Sequence, residues 1–192
     1  SEAMQEEKAS MEDHNAWSDK PVQLPKGKKC VSTKWIYDLK SANGNIKRFK
    51  SRLVARGFTQ RPGLDYDKTF SPVMQQALLR SMLAIAAEKD WEVEQLDIKT
   101  AFLYGKVKEE IYIKLPPGIV AEHERIRRLN SCIYGLKQAG RVFNSRLHKT
   151  MVAHGMTRCD GDPCCYMKVV DGEPIIVMIH VDDMVIFGKN KD

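Results

Sequence analysis

Long hydrophobic runs are missing from this 192-residue chain. The stretch from Ile175 to Ile179 is closed off by Pro174 and His180, far short of the ~20 apolar residues that cross a bilayer. No membrane segment is expected. A disulfide framework is missing as well. The five cysteines, Cys30, Cys132, Cys159, Cys164 and Cys165, are odd in number and two are adjacent, which argues against a stapled secreted scaffold and for a reducing, intracellular setting. His154 with Cys159, Cys164 and Cys165 departs from the usual C-x₂₋₄-C spacing of structural zinc sites, so these are read as buried free thiols. The start, Ser1-Glu2-Ala3-Met4-Gln5-Glu6-Glu7, has neither the basic opening nor the apolar stretch of a signal peptide. Position 1 is not Met, and the expectation is that the chain is cut from something longer. Internal repeats and low-complexity tracts are absent. So are the Gly-x-x-x-x-Gly-Lys-Ser/Thr phosphate loop and the Gly-x-Gly-x-x-Gly fingerprint, which removes the commonest nucleotide-binding folds.

What is present suits a globular protein of one domain or two small ones: 43% apolar and 29% charged residues. The net charge of +6 is unevenly spread. Lys26 to Arg61 holds 11 Lys or Arg and one acid, Asp38, whereas the first 13 residues hold Glu2, Glu6, Glu7, Glu12 and Asp13 against Lys8 alone. That asymmetry points the basic segment toward a polyanion, with a solvated surface as the plain alternative.

Hydrophobic patterning predicts a helix over 1–16, then strands over 31–39 and 46–54 joined through Asn43-Gly44, a strong hairpin signal. Alternation in the second strand sets Arg48, Lys50, Arg52 and, beyond Val54, Arg56 on one face, with Lys47, Phe49, Ser51, Leu53 and Ala55 on the other. A row of cations is well suited to phosphate oxygens. Residues 57–70 read as a loop turning at Pro62-Gly63. Ser71-Pro72 reads as a helix start, Ser capping and Pro at the first position, with the helix running to about Asp90. Its apolar stripe is Leu78, Leu79, Met82, Leu83 and Ala86. A strand over 91–98, a short strand at 111–114 and a break at Pro116-Pro117-Gly118 follow. A second helix runs from about Leu136 to Gly155, a C′ residue, with Ala139, Phe143, Leu147 and Met151 facing the core. A strand over 164–170 and a turn at Asp171-Gly172 lead into the last hairpin. The fold class is α+β with a mostly antiparallel sheet.

That last hairpin carries the most chemistry. Asp182 and Asp183 sit between two runs of strand-forming residues, Ile175 to Val181 and Met184 to Phe187. Neighbouring carboxylates repel and stay together most readily with cations between them, and hard divalent ions take such oxygen ligands. A third carboxylate at a strand end, Asp97, would complete a two-metal phosphoryl-transfer site. Each residue alone also has an ordinary reading, as a turn or strand-end residue.

Taken together the motifs resemble the reverse transcriptase of copia-type LTR retrotransposons. They run in order as Lys34-Trp35; Arg52-Leu53-Val54-Ala55-Arg56-Gly57-Phe58-Thr59-Gln60; Asp65-Tyr66; Thr69-Phe70-Ser71-Pro72-Val73; Gln95-Leu96-Asp97-Ile98-Lys99-Thr100-Ala101-Phe102-Leu103; Glu110-Ile111-Tyr112; Tyr134-Gly135-Leu136-Lys137-Gln138-Ala139; and His180-Val181-Asp182-Asp183. The resemblance implies a right-hand polymerase fold. Fingers would span 1–90, the first part of the palm 91–109, a fingers–palm connection 110–138, and the second part of the palm 139–192. The chain would stop before the thumb and RNase H. It implies Asp97, Asp182 and Asp183 as catalytic ligands of two Mg²⁺ ions, with Mn²⁺ as a substitute. Phe102 would exclude the sugar 2′-hydroxyl, and Gln138 would lie near the incoming nucleotide. Lys50 and Arg52 lie where fingers cations meet the triphosphate, and which of them does so stays open. Arg48, Arg56 and His180 would touch nucleic acid. Implied partners are an RNA or DNA template-primer, deoxynucleoside triphosphates and the rest of a polyprotein, in an intracellular, cytoplasmic, virus-like-particle setting. Two departures stand out: His180 replaces the usual Tyr or Phe, and Gly140-Arg141-Val142-Phe143 replaces Pro-Arg-Ala-Trp. A truncated, inactive remnant that binds nucleic acid nonspecifically is the rival expectation.

Overall fold

The computed structural model describes residues 2–42, 45–117 and 119–189. In chain order the first elements are helix α1 (Glu2–Asp13), strands β1 (Cys30–Ala42) and β2 (Asn45–Ala55), helix α2 (Gln76–Glu88) and strand β3 (Glu92–Asp97). Next come β4 (Tyr112–Lys114), β5 (Ile126–Arg128), helix α3 (Ala139–Ala153), β6 (Thr157–Arg158), β7 (Cys165–Val170), β8 (Glu173–His180) and β9 (Asp183–Gly188). The α+β class is as expected. The chain forms two compact units, one of Ser1–Thr69 with Phe102–Phe143, the other of Phe70–Ala101 with Asn144–Asp192. No helix among the described residues is long and apolar enough to cross a membrane.

The first unit is built on a sheet of order β2-β1-β4-β5, in which β1 pairs antiparallel with β2 and parallel with β4. The expected alternation holds along β2: Ser51, Leu53 and Ala55 are buried, while Arg52 and Val54 are partly exposed and Arg56 is exposed. Leu53, opposite Trp35, joins Val31, Ile113, Leu115, Ile133 and Met11 in one apolar cluster. The distal half of the hairpin runs past that core, so Tyr37, Leu39 and Phe49 are exposed although they share its face. The Asn43-Gly44 turn and the side chain of Lys47 lie outside the described residues. Helix α1 ends three residues short of the expected Ala16. Asn15 takes a left-handed conformation (φ 49°), and Ala16 N–H returns to Met11 O at 2.9 Å. Asn accepts this conformation more readily than most residues. The turn drops Ala16 and Trp17 into the core.

The second unit holds an antiparallel sheet of order β3-β9-β8-β7-β6. Asp171 and Gly172 both have positive φ (51° and 82°), as a two-residue type I′ hairpin requires. Ser71-Pro72 does not start α2. The helix begins at Gln76, with Gln75 as an extended N-cap whose side chain makes no cap bond. The cause lies elsewhere in the chain. The buried Asp162 carboxylate accepts the Gln75 N–H and the Cys164 N–H, each at 2.8 Å, so the helix entry is pinned by a distant residue. The stripe is also narrower than expected: Met82 and Ala86 are buried, while Leu83 is exposed. Helix α3 keeps its full stripe, Ala139, Phe143, Leu147 and Met151 all being buried. It starts at Ala139 rather than Leu136, because Gly135 (φ 86°) and a turn bond from Leu136 N–H to Ile133 O come first. Gly155 (φ 78°) ends it, with Met156 N–H bonded to Met151 O at 3.1 Å. All five cysteines are free thiols. Burial pushes Cys132 and Cys165 up to about 12 and Cys164 to about 11, so these three stay protonated and unreactive near neutral pH.

Candidate active site

Asp97 ends β3 and Asp183 begins β9. The register sets them directly opposite each other. Asp182 is one residue away, in the turn between β8 and β9, and its carbonyl accepts the Ile98 N–H at 2.9 Å. The backbones of the three aspartates therefore meet within one unit. The turn is Val181-Asp182, with His180 paired to Asp183. Val181 has φ 59°, a conformation that a β-branched residue rarely adopts and that costs on the order of 1–3 kcal/mol. Hairpins ordinarily place Gly there.

Side-chain detail adds a residue that motif reading did not single out. Gln95 donates from Nε2 to Asp183 Oδ1 at 3.3 Å. Gln95 and Asp97 share a face of β3 by alternation, so the signal was in the spacing. The donor set, three carboxylates on adjoining backbone, fits a hard divalent cation by its chemistry. Among the described residues, no three His, Cys, Asp or Glu side chains are gathered closely enough to hold an ion. Asp183 is instead turned toward Gln95.

The remaining sequence-predicted residues lie in the first unit. Arg52 places its guanidinium 5.2 Å from the centre of the Tyr134 ring. Phe102 meets the same ring edge-on at 4.9 Å and 74°, meets Phe143 at 6.2 Å and 88°, and packs against the apolar cluster. Arg52, Tyr134 and Phe102 thus form one cation–aromatic stack. Lys50 is half-buried and Arg56 exposed. Arg48 forms an ion pair with Glu6 (Nη2–Oε2 2.6 Å), exposed at both ends, a type of contact worth ~0.2–1 kcal/mol.

Gln138 is 1% exposed, and its amide is used inside the protein. Nε2 donates to Asp65 O at 2.8 Å, and Oε1 accepts from Gln60 Nε2 at 3.0 Å. Gln60 Oε1 in turn accepts the Lys137 N–H at 2.8 Å. The two glutamines tie the Arg61–Asp65 turn to the start of α3. Gln60 and Asp65 belong to the quoted motifs, but nothing local signalled that they would bond to Gln138.

Comparison with known proteins follows the same lines. The matching family is described as "Reverse transcriptase (RNA-dependent DNA polymerase)", over residues 15–192. The chain is 42% identical over 194 residues to the "Retrovirus-related Pol polyprotein from transposon TNT 1-94" of Nicotiana tabacum. That alignment takes in 98% of this chain and 14% of the relative. Similar polyproteins from transposons RE2 and RE1 of Arabidopsis thaliana are 37% and 34% identical, each over 83% of this chain and 11% of the relative. The chain therefore spans about a seventh or less of the length of these curated relatives.

Proposed function

The chain belongs to the reverse transcriptase (RNA-dependent DNA polymerase) family of retrotransposon polyproteins, and from that premise we propose that it carries the nucleotidyl-transfer site of template-directed DNA synthesis. In this reading the fingers span 1–90, the palm 91–109 and 139–192, and 110–138 connects them. The reaction joins a primer 3′-hydroxyl to the α-phosphate of a deoxynucleoside triphosphate and releases pyrophosphate. The observation that carries the reading is the register of Asp97 against Asp183 with the Ile98–Asp182 bond beside it. Asp97, Asp182 and Asp183 would hold two Mg²⁺ ions, or Mn²⁺, which when bound activate the hydroxyl and neutralise phosphate charge.

The chain's own residues do the positioning. The Val181 turn fixes Asp182 at the hairpin tip, and Gln95 orients Asp183. Lys50 and Arg52 would meet the triphosphate, with Tyr134 holding the Arg52 fork in place. Arg48 and Arg56 extend the row toward nucleic-acid backbone, and His180 packs beside the primer end. Gln138 would act near the incoming nucleotide through the turn that it secures. The partners would be an RNA or DNA template-primer and the rest of a polyprotein, in an intracellular particle. The test is primer extension with Mg²⁺ on a defined template at low salt. Products complementary to the template support the reading, whereas binding without extension identifies a non-catalytic remnant.

Two further outcomes are expected. Replacing Arg48, Lys50 and Arg52 together by Ala weakens nucleic-acid binding, and the slope of log affinity against log salt shrinks by about one unit for each phosphate that the row no longer neutralises. An unchanged slope returns the row to an ordinary solvated face. In a polymerase-active form of the chain, Phe102→Val raises ribonucleotide incorporation about tenfold or more, since hydrophobic-pocket discrimination of this kind spans about 10–200-fold. It also loosens the stack on Tyr134. Sugar selection equal to the parent's, in an enzyme that still extends primers, shows that Phe102 is a packing residue only.

A further inference from the structure

The acidic N-terminal helix lies against the basic strand. Strand β2 is an edge of its sheet, and an edge strand presents unpaired backbone N–H groups. Glu7 Oε1 accepts one of them, Leu53 N–H, at 3.1 Å. Burial pushes the pKa of this carboxylate up, and the Leu53 N–H and the nearby charges of Arg52 and Lys50 offset that only in part. One residue earlier, Glu6 binds Arg48 at 2.6 Å. Two consecutive acids of α1 thus lie along the basic strand, Glu6 paired with Arg48 and Glu7 bonded to the backbone beside Arg52. The helix is held on with little apolar surface: of its residues only Ala3 and Met11 are buried. An exposed ion pair is among the weakest contacts in proteins and fades with salt, so this part of the docking is releasable. The family match begins at residue 15, after the helix ends.

We propose that α1 is a built-in competitor for nucleic-acid backbone, its Glu6 and Glu7 carboxylates occupying on Arg48, Lys50 and Arg52 the places that phosphates take when nucleic acid binds. The inference rests on the reading of that row as a phosphate-binding surface and adds its regulation. A strand carrying several phosphates displaces two carboxylates. Isolated anions or short oligonucleotides do so poorly. The device therefore discriminates against weak, nonspecific polyanions by adding a fixed competing charge that each ligand must outbid.

The test uses the full 192-residue chain and a fluorescein-labelled single-stranded DNA oligonucleotide, with anisotropy read across a salt series. Glu6→Gln with Glu7→Gln keeps the size of both side chains, and Gln retains an oxygen for the Leu53 N–H. The control, Glu12→Gln with Asp13→Asn, makes the same charge change on the same helix away from the row. The expected result is affinity about fivefold or more above the control at low salt, with a slope steeper by about one unit. Equal tightening in both variants means that net charge alone acts, and overturns the proposal. So does no change in the Glu6/Glu7 variant. Glu6→Gln alone, at an exposed position, repeats the comparison if the double variant folds poorly. The Arg48/Lys50/Arg52→Ala variant separates the two layers. If it binds like the parent, the row is not the phosphate surface and that reading fails. If it binds weakly while the Glu6/Glu7 variant matches its control, only the competitor role of α1 fails.

Discussion

Asn in place of Asp97, Asp182 or Asp183 lowers primer extension by at least about 100-fold, without loss of folding. Under the proposed function the magnitude follows from removing a charged group that would organise the transition state, for which losses of about 10²–10³ are usual. The stability side follows from position. Asp97 is exposed at the end of an edge strand, and Asp182 and Asp183 are half-exposed at a hairpin tip, where substitutions usually stay within about 0.5 kcal/mol. The sign on stability is near neutral, because all three side chains are at least partly solvated and Asn keeps the oxygen that accepts from Gln95 at position 183. The three effects should not add, since residues that act as a unit fail together. Primer extension and thermal unfolding on the same preparations check both halves. Any single variant that extends primers within about tenfold of the parent, in a polymerase-active form of the chain, removes that residue from the site. A variant that is inactive and also melts far below the parent has misfolded, and its residue then has a structural role.

The hairpin that carries Asp182 and Asp183 was legible because its signal is local. Strand-formers on both sides of Asp182-Asp183 make a hairpin by alternation alone, and the four-residue recurrence of Ala139, Phe143, Leu147 and Met151 makes a buried helix face. Where the determining contact is distant, local reading stops short. Ser71-Pro72 has the chemistry of a helix start, yet Asp162 receives the Gln75 N–H from 87 residues away, and the helix begins beyond it. The resemblance puts Gln138 near the incoming nucleotide, yet the structure buries it. Its partners, Gln60 and the Asp65 carbonyl, lie 78 and 73 residues earlier in the chain. The acidic and basic segments were visible as composition, but only the fold showed that they meet along β2. Leu83 fits the apolar stripe of α2 and is nonetheless exposed; periodicity gives a direction around a helix, not the width of the surface that covers it.

Gly135→Ala and Gly57→Ala should each destabilise the first unit by about 3 kcal/mol or more, the largest stability effects expected of any such small change here. The two glycines stand back to back. A methyl group on Gly57 would lie 2.0 Å from Gly135 O, and one on Gly135 would lie 2.1 Å from Ala55 O and 2.6 Å from Val54 Cγ1. The obstacles are mostly backbone, and that backbone is held. Ala55 N–H bonds to Tyr134 O and Arg56 N–H to Ser32 O, both at 2.8 Å, while Ala55 and Ile133 are locked in the core. Overpacking that forces backbone apart costs about 1–3 kcal/mol and occasionally more. Gly135 adds the strain of φ 86°, on the order of 1–3 kcal/mol for a residue with a side chain. Gly63 is the control, since it has φ 74° and nothing within 4 Å of an added methyl. Gly63→Ala therefore reports the conformational strain alone, about 1 kcal/mol. At about 2–4 °C per kcal/mol for a chain of this size, Gly135→Ala should melt about 6–12 °C below the parent, and well below Gly63→Ala. The damage should also reach the Arg52–Tyr134–Phe102 stack, because Tyr134 is the residue beside Gly135. A Gly135→Ala variant that melts no lower than Gly63→Ala would show that the two segments can part freely. The motifs around Gly57 and Gly135 would then need a reason other than this close approach.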